Sequence, residues 1–169
     1  MSDAAKTGRP LVAGDARPEF EGTTATGGKL RRADLLGRPS VVFFYPKAGS
    51  PGCSVESRAF ARHRPEFADV GARIVGVSVD PPEAQRRFRD SCDLPFDLIA
   101  DSSKEISRRF GVLGVLGVAR RTTFVVDRDG TIVHVIRSWR PAPHVTEALR
   151  ELAARAPPAT SGERSSGAP

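Results

Sequence analysis

The sequence predicts a single α/β domain in which a central mixed β-sheet is flanked by helices. Its 169 residues are enough for one domain with a sizeable core. Short apolar runs at residues 41–45, 72–79 and 96–100 are each followed by a helix-like segment, which is typical of parallel strands buried on both faces. Two further runs, 122–126 and 131–136, are joined by the turn sequence DRDG and predict an antiparallel hairpin.

The chain before the first buried strand is predicted to form an N-terminal extension, a hairpin and a helical turn. Residues 1–13 contain no long apolar run and are expected to be a flexible leader, so the domain is placed at residues 14–155. The T-x-x-G-G pattern within residues 23–29 predicts a short hairpin. Residues 33–37 predict a short helical turn just before the strand at 41–45.

The next two helices begin or end at residues that favour those positions. A helix that starts around Cys53 is interrupted by Pro65, because a proline inside a helix removes a backbone hydrogen bond. Asp80, followed three residues later by Glu83, predicts the N-cap of the second helix. Pro95 is expected to end that helix.

Two more helices complete the predicted domain. Ser102 and Glu105 form another capping pair before a helix that ends at Gly111. An amphipathic pattern predicts the last helix at residues 145–154. Residues 156–169 are rich in Pro, Ser and Gly and contain no core-forming residues, which predicts a disordered tail.

The composition argues against several classes of protein. The 26 Lys and Arg residues exceed the 20 Asp and Glu residues and give a net charge of +6. The arginines are spread over several helix-like segments without interleaved aromatic residues, so we expect solvated helix faces and no nucleic-acid partner. Two cysteines are too few for a disulfide framework, and the histidines make no metal-ligand spacing with them, so no metal or other cofactor is expected. Without a signal peptide or an apolar run of membrane length, the sequence predicts a cytoplasmic protein that does not enter the membrane.

The stretch that carries chemistry is residues 41–57, which read VVFFYPKAGSPGCSVES. Pro46 breaks the strand, and a Gly/Ser/Pro loop leads to Cys53 at the start of a helix. The positive end of the helix dipole and the free backbone N–H groups there favour a thiolate over a thiol, and Lys47 would add positive charge. A lone cysteine is often only a small buried apolar residue. A loop and a helix start directly after a core strand are a poor choice for plain packing, however, and favour a reactive thiol.

These residues resemble a known family. Pro46, Ser50 and Cys53 match the peroxiredoxin signature Pro-x-x-x-Thr/Ser-x-x-Cys, and the wider FYPKAGSPGCSVES is similar to the bacterioferritin-comigratory-protein or PrxQ branch. The resemblance covers roughly residues 14–153. It implies a thioredoxin-like fold and a thiol-dependent peroxidase that reduces hydrogen peroxide and organic hydroperoxides. It also implies a thiol reductant, thioredoxin above all, and a monomer or weak homodimer.

The resemblance assigns roles to four residues. Cys53 would be the peroxidatic thiolate, Ser50 would contact the peroxide through its hydroxyl, and Pro46 would shield the thiolate from water. The segment RTTFVVD, which begins at Arg121, resembles the family's R-[TS]-x-F-x-x-D strand, whose first residue is the active-site arginine. Without the resemblance, Arg121 would be interpreted as an ordinary charge at a strand edge. Arg120, its neighbour, is expected on the opposite side of the strand.

The cysteine that would resolve the oxidised Cys53 is less obvious. The best-known PrxQ pattern places it five residues further on, where this chain has Arg58. Some members of the branch carry it in the following helix, which is where Cys92 falls. Cys92 shares a helix face with Ala84 and Phe88, so it could also be simply a buried apolar residue. In that case the protein would be a one-cysteine peroxiredoxin that uses an external thiol.

The residues leave other functions open. A non-enzymatic thiol redox sensor or relay would use the same Cys53 site. A disulfide reductase is disfavoured because the chain has no C-x-x-C motif. A basic binding module would be revealed by salt-dependent retention on DNA.

Overall fold

The structure is a computed structural model that describes residues 9–156. Within that range the chain forms strands, helices and one short 3₁₀ turn in the following order: β1 (Glu21–Thr24), β2 (Lys29–Arg31), the 3₁₀ turn (Arg32–Leu35), β3 (Ser40–Phe44), α1 (Pro51–Arg62), α2 (Arg64–Asp69), β4 (Arg73–Ser78), α3 (Pro82–Cys92), β5 (Asp97–Ala100), α4 (Glu105–Arg109), β6 (Thr122–Val126), β7 (Ile132–Arg137) and α5 (Pro141–Arg155). The predicted tail beyond Ala156 and residues 1–8 of the predicted leader lie outside the described residues.

The described strands form one mixed sheet in the order β2-β1-β5-β4-β3-β6-β7. β3, β4 and β5 are parallel, whereas β1 pairs antiparallel with β5 and β6 pairs antiparallel with β3. The predicted α/β class with a central mixed sheet is therefore confirmed, as are the two hairpins β1-β2 and β6-β7. The helix break predicted at Pro65 is confirmed by the separation of α1 from α2.

Two apolar cores cover the two faces of the sheet, because successive side chains of a strand point to opposite faces. On one face, Phe43 of β3 stacks on Phe60 of α1 with ring centroids 4.5 Å apart, and this core also takes apolar residues from α2, α3 and α5. On the other face, Phe44 and Phe124 pack against Phe110, which follows α4. The helix that carries Cys53 is thereby fixed on the first face.

The packed part of the chain begins earlier than residue 14. Leu11 is fully buried in the second core. The N–H of Gly14 donates to the carbonyl of Ile132 at 2.8 Å, and Arg137 donates to the carbonyl of Leu11. Leu11, which lies within the predicted leader, is thus packed in the second core and bonded to β7.

The start of α3 differs from the predicted cap. Pro81 occupies the N-cap position, without a side-chain hydrogen bond, and Pro82 is the first helical residue. Asp80 instead accepts the N–H of Ala48 at 2.7 Å, in the loop that follows β3. A tertiary partner thus takes the carboxylate that the sequence pattern assigned to the helix.

The start of α4 differs in a similar way. Ser102 does not cap it, and Lys104 precedes the helix in the left-handed conformation. The carboxylate of Asp101 accepts the N–H groups of Ile106 at 3.1 Å and Ser107 at 2.7 Å. The helix start is therefore satisfied by an acceptor that lies further upstream than predicted.

Candidate active site

Cys53 lies in the first turn of α1, which begins at the carboxyl end of the parallel strands, shortly after β3. Ser50 is the N-cap residue and Pro51 the first helical residue, and the Ser50 hydroxyl accepts the Cys53 N–H at 3.4 Å. The Cys53 side chain is fully buried. A helix start offers unpaired N–H groups and partial positive charge, so negative charge on sulfur is favoured there.

The loop between β3 and α1 is held by its own hydrogen bonds and by Asp80, which follows β4. The Ser50 hydroxyl donates to the carbonyl of Lys47 at 3.0 Å, and Asp80 accepts the Ala48 N–H. Pro46 is half-buried at the start of this loop, and the Lys47 side chain is exposed. The loop therefore holds the Cys53 turn in a defined position without help from the Lys47 ammonium.

Arg121 brings a positive charge to the Cys53 sulfur. Its Nη2 donates to Sγ at 3.3 Å, and only 12% of its side chain is exposed. Arg121 precedes β6 directly, so alternation places it on the same face of the sheet as Thr123 and α1. Gly52 permits the approach, because a Cβ at that position would come within 3.2 Å of Nη2. A guanidinium this close can stabilise negative charge that develops on the sulfur during a reaction.

Glu56 lies on the other side of the guanidinium, one helical turn after Cys53. Its Oε2 is 3.2 Å from Arg121 Nη1, so the arginine fork contacts the carboxyl with one nitrogen and the thiol with the other. Glu56 is fully buried, and among the described residues neither of its oxygens has a partner in hydrogen-bond geometry. Burial raises the pKa of Glu56 to about 7, and Arg121 opposes that rise.

His144, near the start of α5, faces the same carboxyl. Its Nε2 is 3.8 Å from Glu56 Oε2 and 2.7 Å from the carbonyl oxygen of Ser138. Its Nδ1 is 2.7 Å from the hydroxyl of Thr123 on β6. The ring is fully buried, and this burial lowers the pKa of His144.

Cys92 is the last residue of α3, and both cysteines are unpaired. It is buried in the same apolar core as Cys53. Asp93, which follows it, adopts a left-handed conformation with φ of 50°. In the first half of α3, the buried Gln85 accepts a hydrogen bond from Tyr45 and donates to the carbonyl of Ile99 at 2.8 Å. The end of the helix at Cys92 is closed by backbone hydrogen bonds, in which the Leu94 N–H donates to the Arg89 carbonyl at 3.0 Å.

Other parts of the surface offer little for this chemistry. A hollow lined by Arg38, Arg73 and Asp97 lies at the amino ends of the parallel strands, remote from Cys53. In the described range, no three His, Cys, Asp or Glu side chains are grouped closely enough to hold a metal ion. Nor does any helix between residues 9 and 156 combine the length and apolarity needed to cross a bilayer.

The predicted site residues come together only in part. Ser50 and Arg121 each contact Cys53, with Pro46 in the connecting loop, whereas Cys92 shares a core with Cys53 from a different helix. Arg120 is exposed, as expected for the opposite side of the strand. The catalytic roles of these residues stay predictions.

Sequence reasoning missed Glu56 and His144. The available signal for Glu56 was its spacing of three residues from Cys53, which puts both on one face of the helix. His144 was weighed only as a metal ligand, and no local pattern indicates its contact with Thr123.

Comparison with known proteins identifies the family of the chain. The model of the AhpC/TSA family matches residues 13–135. The putative peroxiredoxin Rv2521 of Mycobacterium tuberculosis is 37% identical over 150 residues, which cover 84% of this chain and 95% of that protein. The peroxiredoxin Bcp of Escherichia coli is 32% identical over 142 residues, which cover 80% of this chain and 91% of Bcp.

Solved structures give the same picture. Peroxidoxin BcpB of Mycobacterium tuberculosis superposes with a TM-score of 0.81 at 37% identity, over 85% of this chain and 97% of BcpB. Peroxiredoxin Q of Xanthomonas campestris superposes with a TM-score of 0.77 at 29% identity, over 82% of this chain and 92% of its own. The predicted thioredoxin-like peroxiredoxin fold is thus confirmed. The chain belongs to the AhpC/TSA family, in its bacterioferritin-comigratory-protein or PrxQ branch, and is a peroxiredoxin, a thiol-dependent peroxidase.

Proposed function

We propose that Cys53 is the thiolate that attacks the peroxide, with Arg121 and Ser50 as its partners in the reaction. The observation that carries this proposal is the 3.3 Å contact between Arg121 Nη2 and Cys53 Sγ at the start of α1. A guanidinium suits the role because it stays ionised and presents several donors in a rigid fork. Pro46 would limit the access of water to the sulfur.

The proposed reaction transfers one oxygen atom to sulfur. The Cys53 thiolate attacks one peroxide oxygen, so that an S–O bond forms while the O–O bond breaks. Sulfur is oxidised to sulfenic acid, and the leaving hydroxide or alkoxide takes a proton from water and departs as water or an alcohol. Arg121 donors would stabilise the negative charge as it moves from sulfur to the leaving oxygen. The Ser50 hydroxyl, which already donates to Lys47, would accept a hydrogen bond from the substrate.

We propose that Cys92 resolves the sulfenic acid. Its thiol would attack the Cys53 sulfur, forming a disulfide and releasing water. Because a disulfide requires the two Cα atoms to lie within about 7 Å, the end of α3 would have to open. The left-handed conformation of Asp93, which is strained for a residue other than glycine, supports this choice of moving part. A dithiol reductant, thioredoxin in our proposal, would then reduce the disulfide.

The setting of this cycle follows from its chemistry. A compartment that maintains thiol reductants is required, and we propose the cytoplasm. Xanthomonas campestris bacterioferritin comigratory protein, 28% identical to this chain, has been studied for alkyl peroxide reduction, which supports organic hydroperoxides as substrates beside hydrogen peroxide. The residues of the proposed cycle all come from one chain, so we propose a monomer or a weak homodimer.

One equivalent of hydrogen peroxide tests the cycle. We expect reduced protein to lose two hydrogens in mass under non-reducing conditions, and peptide mapping to find Cys53 joined to Cys92. Turnover with thioredoxin and its reductase should then be lost in Cys92→Ser. Persistent sulfenic or sulfinic acid on Cys53, with Cys92 still open to alkylation, would contradict the two-cysteine cycle. A one-cysteine peroxiredoxin that uses an external thiol would replace it.

A further inference from the structure

A buried polar chain runs from α5 to the catalytic sulfur, and the proposed reaction uses only its last two members, Arg121 and Cys53. Its first member is His144, which faces Oε2 of Glu56 across 3.8 Å. The same Oε2 lies 3.2 Å from Arg121 Nη1, and Arg121 Nη2 donates to Cys53 Sγ. One carboxylate oxygen therefore lies between an imidazole and the guanidinium that serves the thiol.

The orientation of the imidazole can be worked out from its contacts. The Ser138 carbonyl can only accept a hydrogen bond, so Nε2 carries the proton and donates it at 2.7 Å. In a neutral ring Nδ1 is then an acceptor and receives the Thr123 hydroxyl at 2.7 Å. The lowered pKa of His144 agrees with a neutral ring. The Nε2–H group thus carries partial positive charge 3.8 Å from Glu56 Oε2.

Burying the Glu56 carboxylate costs free energy. Glu56 is fully buried, and among residues 9–156 its oxygens have no partner in hydrogen-bond geometry. The groups that face it are Arg121, which precedes β6, and His144 on α5, while Cys53 lies on its own helix. Apolar residues of similar size would fill such a position at lower cost. The polar groups are therefore better explained by what they do to the guanidinium than by packing.

We propose that His144 is a positioning residue of the peroxidase: it holds Glu56 in place, and Glu56 holds the Arg121 fork so that Nη2 stays on the Cys53 sulfur. A planar guanidinium has a fixed geometry, so holding Nη1 on Glu56 sets the position of Nη2. His144 is itself fixed at both nitrogens by β6 and by the residue after β7. The position of the cation therefore depends on the last helix of the domain. The proposal rests on the proposed role of Arg121.

Two substitutions separate the two ring nitrogens. His144→Asn keeps a polar group near the Nδ1 position but removes the Nε2 donor. His144→Gln places an amide N–H near the Nε2 position. His134→Asn is the matched control, because His134 is a half-exposed histidine of β7 that pairs with Glu147 of the same helix α5.

The readout is the rate of the reaction between reduced protein and hydrogen peroxide. We expect His144→Asn to slow it about tenfold, as a displacement of well under 1 Å at a catalytic group does. His144→Gln should recover most of the rate, and His134→Asn should match the wild type. In an Arg121→Ala background, His144→Asn should change the rate less than about twofold, because the residue through which it acts is gone.

Two results would overturn the proposal: a normal rate in folded His144→Asn, or an equal slowing in the presence and absence of Arg121, which would indicate general damage to the fold. If His144→Asn does not fold, Thr123→Val removes the Nδ1 partner with little change of volume. It should also slow the reaction only when Arg121 is present, and a normal rate in this variant would likewise count against the proposal. Wild-type protein that reacts no faster than free cysteine would instead refute the proposed function of Cys53.

Discussion

Glu56→Gln should make the protein more stable and less active, and the two effects have one cause. The folded protein buries the Glu56 carboxyl, and this burial raises its pKa from 4.5 to about 7. The substitution keeps the shape of the side chain and an oxygen that can accept from Arg121. It removes the negative charge that is costly to bury and that, in our proposal, holds the guanidinium on Cys53.

The size of the stability effect follows from the pKa. Because each pKa unit corresponds to about 1.4 kcal/mol, the shift is a free energy of about 3 kcal/mol. The unfolded carboxyl loses its proton near pH 4.5, whereas the folded one keeps it until about pH 7. Between these values the folded state binds more protons than the unfolded state, so the folding stability due to Glu56 falls as the pH rises. Above pH 7 the loss is complete, and below pH 4.5 it is absent.

Urea unfolding from pH 4.5 to 8 measures this effect. Both proteins should carry Cys53→Ser, so that the thiol does not titrate in the comparison. Arg121 stays ionised throughout this range, and burial lowers the pKa of His144. The pH dependence of the stability difference between the two proteins should therefore come mainly from Glu56. We expect the Glu56→Gln protein to gain up to about 3 kcal/mol over its parent between pH 4.5 and 8. In the Cys53 protein, the same substitution should slow peroxide reduction about tenfold.

The test is how the stability difference between the two proteins changes with pH, because a difference that is constant with pH reports only packing. A stability difference that does not change between pH 4.5 and 8 would show that Glu56 does not titrate in this range. A parent protein that gains stability relative to Glu56→Gln as the pH rises would contradict the raised pKa of Glu56 directly. It would mean that Arg121 keeps the carboxyl ionised, with a pKa below 4.5.

Three further substitutions test the geometry around the sulfur and the opening of α3. Ser50→Ala should cost about 1 kcal/mol of folding stability through the lost N-cap. It should slow the peroxide reaction far more than the alkylation of Cys53 by iodoacetamide, whereas Ser50→Thr should retain activity. Equal losses in both reactions would mean that Ser50 only supports the loop. Gly52→Ala places a methyl group 3.2 Å from Arg121 Nη2, so we expect a several-fold slower peroxide reaction in a protein that is no less stable, and an unchanged rate would show that the guanidinium position is not critical. Asp93→Gly relieves a left-handed conformation that costs a non-glycine residue about 1 kcal/mol, so the closed end of α3 should open less often. The Cys53–Cys92 disulfide should then form about fivefold more slowly after oxidation, and an unchanged rate would show that a different part of the chain opens.

The strands were predictable from the sequence because each is marked by its neighbours along the chain. The apolar runs at β3, β4 and β5 and the turn between β6 and β7 are local signals, and all of these elements form. The helix starts were less predictable. Asp80 and Asp101 are both capable of capping a nearby helix, and the choice between partners depends on which backbone N–H group tertiary packing brings close. A local pattern contains no information about Ala48, which lies 32 residues before Asp80.

The candidate site likewise has one part that the local sequence predicts and another that depends on contacts between distant residues. Pro46, Ser50 and Cys53 lie in one short loop and helix start, so the local pattern indicated a reactive thiol, and the family resemblance assigned roles to Pro46 and Ser50. Arg121 is 68 residues from Cys53 and was identified only through its resemblance to a family motif.

Glu56 and His144 escaped prediction for a physical reason. A buried acid and a buried histidine in a sequence resemble solvated residues until the fold shows that water is absent. Their contact joins α1 to α5, and no spacing within either helix predicts it.

The central claim is that Cys53, activated by Arg121, is the residue that peroxide oxidises. Stopped-flow reaction of reduced protein with hydrogen peroxide, followed by dimedone trapping and peptide mapping in the Cys92→Ser protein, tests it directly. We expect one dimedone adduct per chain, on Cys53, with no reaction in Cys53→Ser and a rate about 100-fold lower in Arg121→Ala. Peroxide consumption that survives Cys53→Ser, or a wild-type rate in Arg121→Ala, would contradict the claim.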